Sequence, residues 1–212
     1  MFFDHGKIDL LSAPTNLGLR QPEVSIVSKC MNATEALREV GLYRFFIKKE
    51  GIDGGETIPG QYSDTISAWR IRNEDEILKY SREIQERITG ILESGNTPLV
   101  IGGHCSLLLG IGLSLKRWGS YGFVHIDGHT DFHHPGNSSK CASLADEDLA
   151  AGVGLRYPEI SNIDGTGPYF EPRKVVHRGC RDNDEHLLEA SEKLRLVIPA
   201  SNVIVDGVIE SG

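Results

Sequence analysis

The chain has 212 residues, 39% of them hydrophobic and 25% charged, which is enough for one globular domain and unlike a disordered or fibrous composition. Lys and Arg number 22 against 30 Asp and Glu, a net charge of −8, and no run of Lys or Arg makes the basic stripe a nucleic-acid partner needs. No apolar stretch approaches the roughly 20 residues that cross a bilayer, so a membrane-spanning role is excluded as well.

The N-terminal "MFFDHGKIDLL" carries Asp4 and His5 where a secretory signal has a basic and then an unbroken apolar region. Cys30, Cys105, Cys141 and Cys180 show no C-x-x-C pairing, so the expected state is reduced thiols in the cytoplasm. "KIDLLSAP" is the first expected strand. Asn73 and Glu76 read as an N-cap and capping box. Ile77, Tyr80, Ile84, Ile88, Ile91 and Leu92 then recur at three- and four-residue steps until Gly95, predicting a long amphipathic helix.

"TPLVIGG" (97–103) predicts a buried strand, "SLLLGIGLSLKRW" (106–118) a helix with Lys116 and Arg117 at its C-terminal end, and "YGFVHID" (121–127) the next strand. Residues 132–172 are rich in Gly, Pro, Ser and Asp, with one short helix expected around "SLADEDLAAG", and a connection this long over strand ends is more often functional than idle. "RKVVHRGC" (173–180) predicts a strand, "DNDEHLLEASEKLR" (182–195) a helix and "SNVIVDG" (201–207) a last strand. Strands alternating with helices through short connections predict an α/β fold with a doubly wound, mostly parallel sheet covered on both faces, in a single domain over residues 1–212.

In such sheets ligands bind beyond the carboxyl ends of the strands. Two exits lie there, Gly102-Gly103-His104-Cys105-Ser106 and Asp127-Gly128-His129-Thr130-Asp131. Asp127, His129 and Asp131 are spaced two apart, so on an extended strand their anchors would stand roughly 6.6 Å apart on one side. Donors sharing one ion at about 2.1 Å must come closer than that. The chain must therefore curl after Asp127, with Gly128 permitting it, or the donors must serve two ions about 3.5 to 4 Å apart. Carboxylate oxygen with imidazole nitrogen favours Mn²⁺, with Zn²⁺, Fe²⁺ or Co²⁺ as options, over a soft thiolate metal.

"IGGHCSLLLG" and "HIDGHTDF" resemble the two strand-exit motifs of the ureohydrolases, the arginase, agmatinase and formimidoylglutamase group, where G-G-D-H-S and D-A-H-x-D follow one another in this order. "SAPTNLGLR", "ALREVGL", "DEDLAAGVG" and "GCRDNDE" extend the resemblance, to the arginase-like bacterial branch, over most of residues 8–207. It implies a three-layer α/β/α fold, two Mn²⁺ ions, and hydrolysis of a guanidino or formimino C–N bond in a small cationic substrate. A guanidinium carbon is a poor electrophile, so attack needs hydroxide, and two cations lower the pKa of a shared water from 15.7 to about 7 in the best cases.

Carried over by position, Asp127 is the carboxylate shared by both ions, Asp131 a ligand of one and His129 of the other. Cys105 stands where the family has its remaining histidine ligand, and His104 where it has an aspartate; Cys105 ligates as thiolate, His104 takes over, or one ion is weakly held. His133 and His134 are candidates for proton transfer or substrate contact, and Ser138, Ser139 and Ser143 lie where family members contact substrate. His125 shares the strand parity of Asp127, as an outer support of a ligand or as a core residue. The family's later pair of metal aspartates, a D-x-D shortly before D-P, has no counterpart after residue 131, so the sheet is expected to be truncated at its C-terminal side. The alternative function is therefore an inactive arginase-like scaffold with one metal or none. An exposed sheet edge would favour homo-oligomers.

Overall fold

The computed structural model describes residues 6–21, 28–139 and 142–206, which divide into two compact units, Met1–Ser114 with Ala142–Ala145 and Leu115–Cys141 with Asp146–Gly212.

In the first unit, β1 (Ile8–Ala13) is followed by α1 (Ala33–Glu39), α2 (Leu42–Ile47), β2 (Ile52–Glu56), α3 (Glu74–Glu93), β3 (Thr97–Gly102) and α4 (Leu107–Trp118), whose last turn runs on into the second unit. Its sheet has the order β2-β1-β3 with every pair parallel. The central strand β1 is buried from Asp9 to Ala13, so it reads as an apolar run and not as an alternation.

The helical period in α3 buries the six residues it singles out, Ile77, Tyr80, Ile84, Ile88, Ile91 and Leu92. Each such isoleucine contributes about 1.5–3 kcal/mol by leaving water. α4 presses against this face closely enough that a Cβ on Gly110 would stand 2.7 Å from Ile84 Cβ. Asn73 does precede the helix, but with φ +50° and without capping it by its side chain. Its amide instead donates to Leu17 O (2.7 Å) and accepts from Ser63 N (3.0 Å), so the expected capping box is replaced by a tie between two loops.

The second unit holds β4 (Phe123–Ile126), α5 (Asp148–Gly152), α6 (Pro158–Ser161), β5 (Val175–Arg178), α7 (Leu187–Lys193), β6 (Leu196–Ile198) and α8 (Ala200–Asp206). The strands pair in parallel in the order β4-β5-β6. Phe123 lies opposite Val175 and His125 opposite His177, a register that matters below. α5 is seated by the buried ion pair of Glu147 with Arg156 (3.0 Å).

The expected strand over 201–207 is a correction: residues 200–206 are helical, and the third strand is Leu196–Ile198. Pro199 has no N–H for a ladder and ends the strand there. Its carbonyl accepts from Asn202 N and Val203 N instead, and starting a helix in this way outweighs the modest strand preference of the following Val and Ile. No helix among the described residues is long and apolar enough to cross a membrane.

A candidate metal centre at the exit of β4

β4 ends at Ile126, and Asp127 N–H still donates to Arg178 O (3.1 Å). The chain then curls. Asp127 Oδ1 accepts from His129 N–H at 2.8 Å, the local turn that aspartate side chains make with a backbone two residues on. Arg181 N–H donates to Gly128 O (3.0 Å), and Asp184 accepts from both N–H (2.9 Å) and Oγ1–H (2.7 Å) of Thr130. The curl is completed at Asp131, whose φ is +49°; Gly128 is not among the residues of positive φ. Aspartate is one of the few side chains that enter that left-handed region, and Ala150 N–H, donating to Asp131 O (3.1 Å), holds it there.

This turn brings Asp127 and Asp131 together with His125, each offering one ligand atom and all three atoms within 4.8 Å of one another. His125 Nε2 stands 3.9 Å from Asp131 Oδ2. The other ring nitrogen, Nδ1, is 2.8 Å from Nδ1 of His177, the residue opposite it in the β4–β5 register. Burial, with the neighbouring His177 adding to it, pushes His125 down to about 4, so its ring is neutral and can ligate.

Asp131 Oδ2 is buried and has no hydrogen-bond partner. Burial, together with the negative charge of Asp127, Asp146 and Asp184, outweighs the hydrogen bond from Asp148 and pushes the Asp131 carboxyl up to about 7. Asp148, wholly buried, is held well above the carboxylate range by burial and by Asp131. Two carboxyls thus share an interior in which burial and neighbouring carboxylates disfavour their ionised forms, an arrangement that a divalent cation completes. The donor set, two carboxylates and a neutral imidazole with an orphaned oxygen between them, fits such an ion.

The other expected site residues are placed as follows. His129 has a ring 61% exposed, with Nδ1 3.7 Å from Asp127 Oδ1 and Nε2 against the Arg181 guanidinium, so it is not part of the close group. His133 Nε2 is 2.9 Å from Glu185 Oε1, and its ring meets His186 edge-on at 4.3 Å. His134 pairs with Glu189 (2.9 Å). His129, Thr130, Asp131, His133, Asp184 and His186 are among the residues lining an open cavity of about 400 Å³. Ser138 and Ser139 follow on the loop, the first half-buried and the second exposed.

In the first unit, His104 is buried with Nε2 accepting from Gly18 N–H (2.8 Å) and Nδ1 3.2 Å from the Ser106 amide, and burial pushes it down to about 4. Cys105 is half-buried just before α4, and Ser143 Oγ–H donates to Gly18 O (3.0 Å).

Sequence reasoning singled out Asp127 and Asp131, and reached Asp184 only as part of "GCRDNDE", but missed Asp148 beside the turn and His177 behind His125. The only signals were the parity shared by His125 and Asp127 and the matching His in "VVHR"; Asp184, within "GCRDNDE", accepts from His186 N–H (3.0 Å) as well as from Thr130.

A family model described as the arginase family matches residues 33–208. The chain is 24% identical to an arginase of Brevibacillus brevis over 192 residues, 90% of this chain and 63% of that one, and 24% identical to an arginase of Bacillus subtilis (strain 168) over 175 residues, 76% and 58%. It therefore spans about three fifths of the length of these curated relatives. The solved native arginase from Bacillus caldovelox superposes with a TM-score of 0.81 at 21% identity, covering 96% of this chain and 68% of that one. A Trypanosoma cruzi formiminoglutamase crystallised with Mn²⁺ gives 0.60 at 15%, covering 97% and 64%. These likenesses show the fold, a parallel-sheet three-layer α/β/α arrangement, and with the match over residues 33–208 they establish that the chain belongs to the arginase family.

Proposed function

We propose that this chain is a metal-dependent hydrolase of linear amidines, splitting a guanidino or formimino C–N bond. The observation that carries the reading is Asp131 Oδ2, buried without a partner beside Asp127 and His125. Asp127, Asp131 and His125 would hold a divalent cation, Mn²⁺ being the metal suited to hard oxygen with one imidazole. His129, with Nδ1 3.7 Å from the same Asp127 oxygen, would be a donor to a second ion. Divalent metal held by these residues would supply a water acidic enough to attack near neutral pH.

The remaining work falls to the protein. Asp146, Asp184 and Glu185, all lining the 400 Å³ cavity, draw in a small cation and leave an anion unattracted. His177 keeps the His125 ring fixed through the 2.8 Å Nδ1 contact. His133 stands on the cavity wall to take the proton that water loses and deliver it to the leaving amine. Ser138 and Ser139 are proposed substrate contacts from the following loop.

The test is Mn²⁺ uptake by calorimetry together with urea or formamide release from L-arginine, agmatine and a formimino amino acid. Turnover that vanishes in Asp127→Ala is the expected result; a folded protein that takes up no Mn²⁺ overturns the reading. The exposed His129 ring lying against Arg181 favours a second reading, a scaffold that binds one ion and does not turn over. Mn²⁺ bound at one equivalent with no product from any of the three substrates would select it.

A further inference from the structure

We propose that His133, Glu185 and His186 form a separate divalent-metal site of the zinc class at the wall of the same cavity. His133 comes from the loop after β4, and Glu185 and His186 from the segment just before α7, so chain segments far apart in sequence converge on one point. One ligand atom from each lies within 4.8 Å of the others. Glu185 Oε1 is 2.9 Å from His133 Nε2 and 3.8 Å from His186 Nε2. A tetrahedral zinc with bonds of about 2.0–2.1 Å has ligand-to-ligand edges of about 3.3–3.4 Å, and the two observed spacings bracket that value.

A simple ion pair between His133 and Glu185 accounts for two of the three residues. It leaves His186 unexplained: its side chain is only 11% exposed, it packs edge-on to the His133 ring at 4.3 Å, and Nε2 is buried with no hydrogen-bond partner. A buried ring nitrogen without a partner is costly unless something binds it. A cation at the centre of the three supplies the missing partner for His186 and keeps the His133 and Glu185 contacts as coordination. Two imidazoles and one carboxylate leave the fourth position open toward the cavity, which suits zinc or cobalt better than the oxygen-seeking Mn²⁺. Glu185 is 73% exposed, so it can move the few tenths of an ångström that bonding needs. While filled, the site takes His133 out of proton transfer, so zinc is expected to act against the hydrolase reading and not as its metal.

The site is tested with Zn²⁺, and with Co²⁺ as its visible stand-in, on the full chain. Asp131→Asn disables the first centre; it should still bind one equivalent of Zn²⁺ and give the intense visible absorption of tetrahedral Co²⁺. Adding Glu185→Gln, a change at an exposed carboxylate that does not threaten folding, should weaken that binding about tenfold or more, and His186→Ala should abolish the absorption. In the chain with Asp131 intact, the same two substitutions should remove one equivalent of Zn²⁺ and no more. The proposal is overturned if Asp131→Asn binds no Zn²⁺, or if its binding is unmoved by both Glu185→Gln and His186→Ala. Neither result depends on turnover, so the hydrolase reading is judged separately.

Discussion

The strand exits after β3 and β4 look like twins in sequence, each a strand running into glycine and histidine, yet their polar groups are used in opposite ways. After β3 the loop is filled by the backbone that follows β1. A Cβ on Gly103 would stand 2.0 Å from Thr15 O, and the His104 ring is spent on the Gly18 and Ser106 amides. After β4 the loop also makes its turn bonds, through Asp127 and Thr130, but they leave Asp131 Oδ2 buried and unpaired among other carboxyls. The first exit is a closed hydrogen-bond network that contributes stability, and the second keeps an unmet charge requirement in the interior. Such a requirement persists where a ligand meets it.

The comparison breaks most visibly at Asp131. Asp131→Asn should cut Mn²⁺ affinity more than about 100-fold, beyond the usual cost of losing an outer support, while stabilising the metal-free protein at pH 8 by about 1–3 kcal/mol. Calorimetry and thermal denaturation of the same sample read both. Unchanged affinity would show that the second exit is as self-contained as the first. His177→Ala removes the group against His125 Nδ1 and should cost about 10–100-fold in Mn²⁺ affinity.

The pH dependence follows with a definite sign. The folded metal-free protein keeps Asp131 protonated up to about 7, whereas its ordinary value is 3.8. Between those values the native state holds a proton that the unfolded chain has lost, so this group makes metal-free stability fall as pH rises through the window. Metal needs the carboxylate and displaces the proton, so Mn²⁺ affinity should climb up to about tenfold per pH unit below 7 and level off above it. Affinity that stays flat from pH 5.5 to 7 would contradict a protonated Asp131.

Much of the scaffold is legible because it is set locally. The three- and four-residue period of α3 and the apolar runs of β1, β3, β4 and β5 each state their own structure. β2, with the sequence Ile-Asp-Gly-Gly-Glu, does not, since its strand character comes from pairing with β1, where a Cβ on Gly54 would stand 2.1 Å from Asp9 Oδ1. α8 was misread because one proline decides between strand and helix there. In the candidate site, the spacing of Asp127 and Asp131 is visible in the sequence. That His125 joins them while His129 turns outward is not, because it depends on the φ of Asp131 and on Asp184 and Ala150, which arrive from distant segments. The burial of Asp148 is a tertiary fact of the same kind.

The smallest expected effect on metal is at the other exit, and it separates the two most cleanly. His104→Ala leaves the buried Gly18 N–H without its acceptor, a loss of about 1–3 kcal/mol in stability measured by urea denaturation. If the ring serves only the loop, Mn²⁺ affinity at saturating fold is unchanged. If His104 ligated an ion in place of the family's aspartate, the same substitution would lower affinity as steeply as Asp131→Asn. The ratio of the two losses therefore assigns His104, because a strut changes the denaturation midpoint and a ligand changes the metal isotherm.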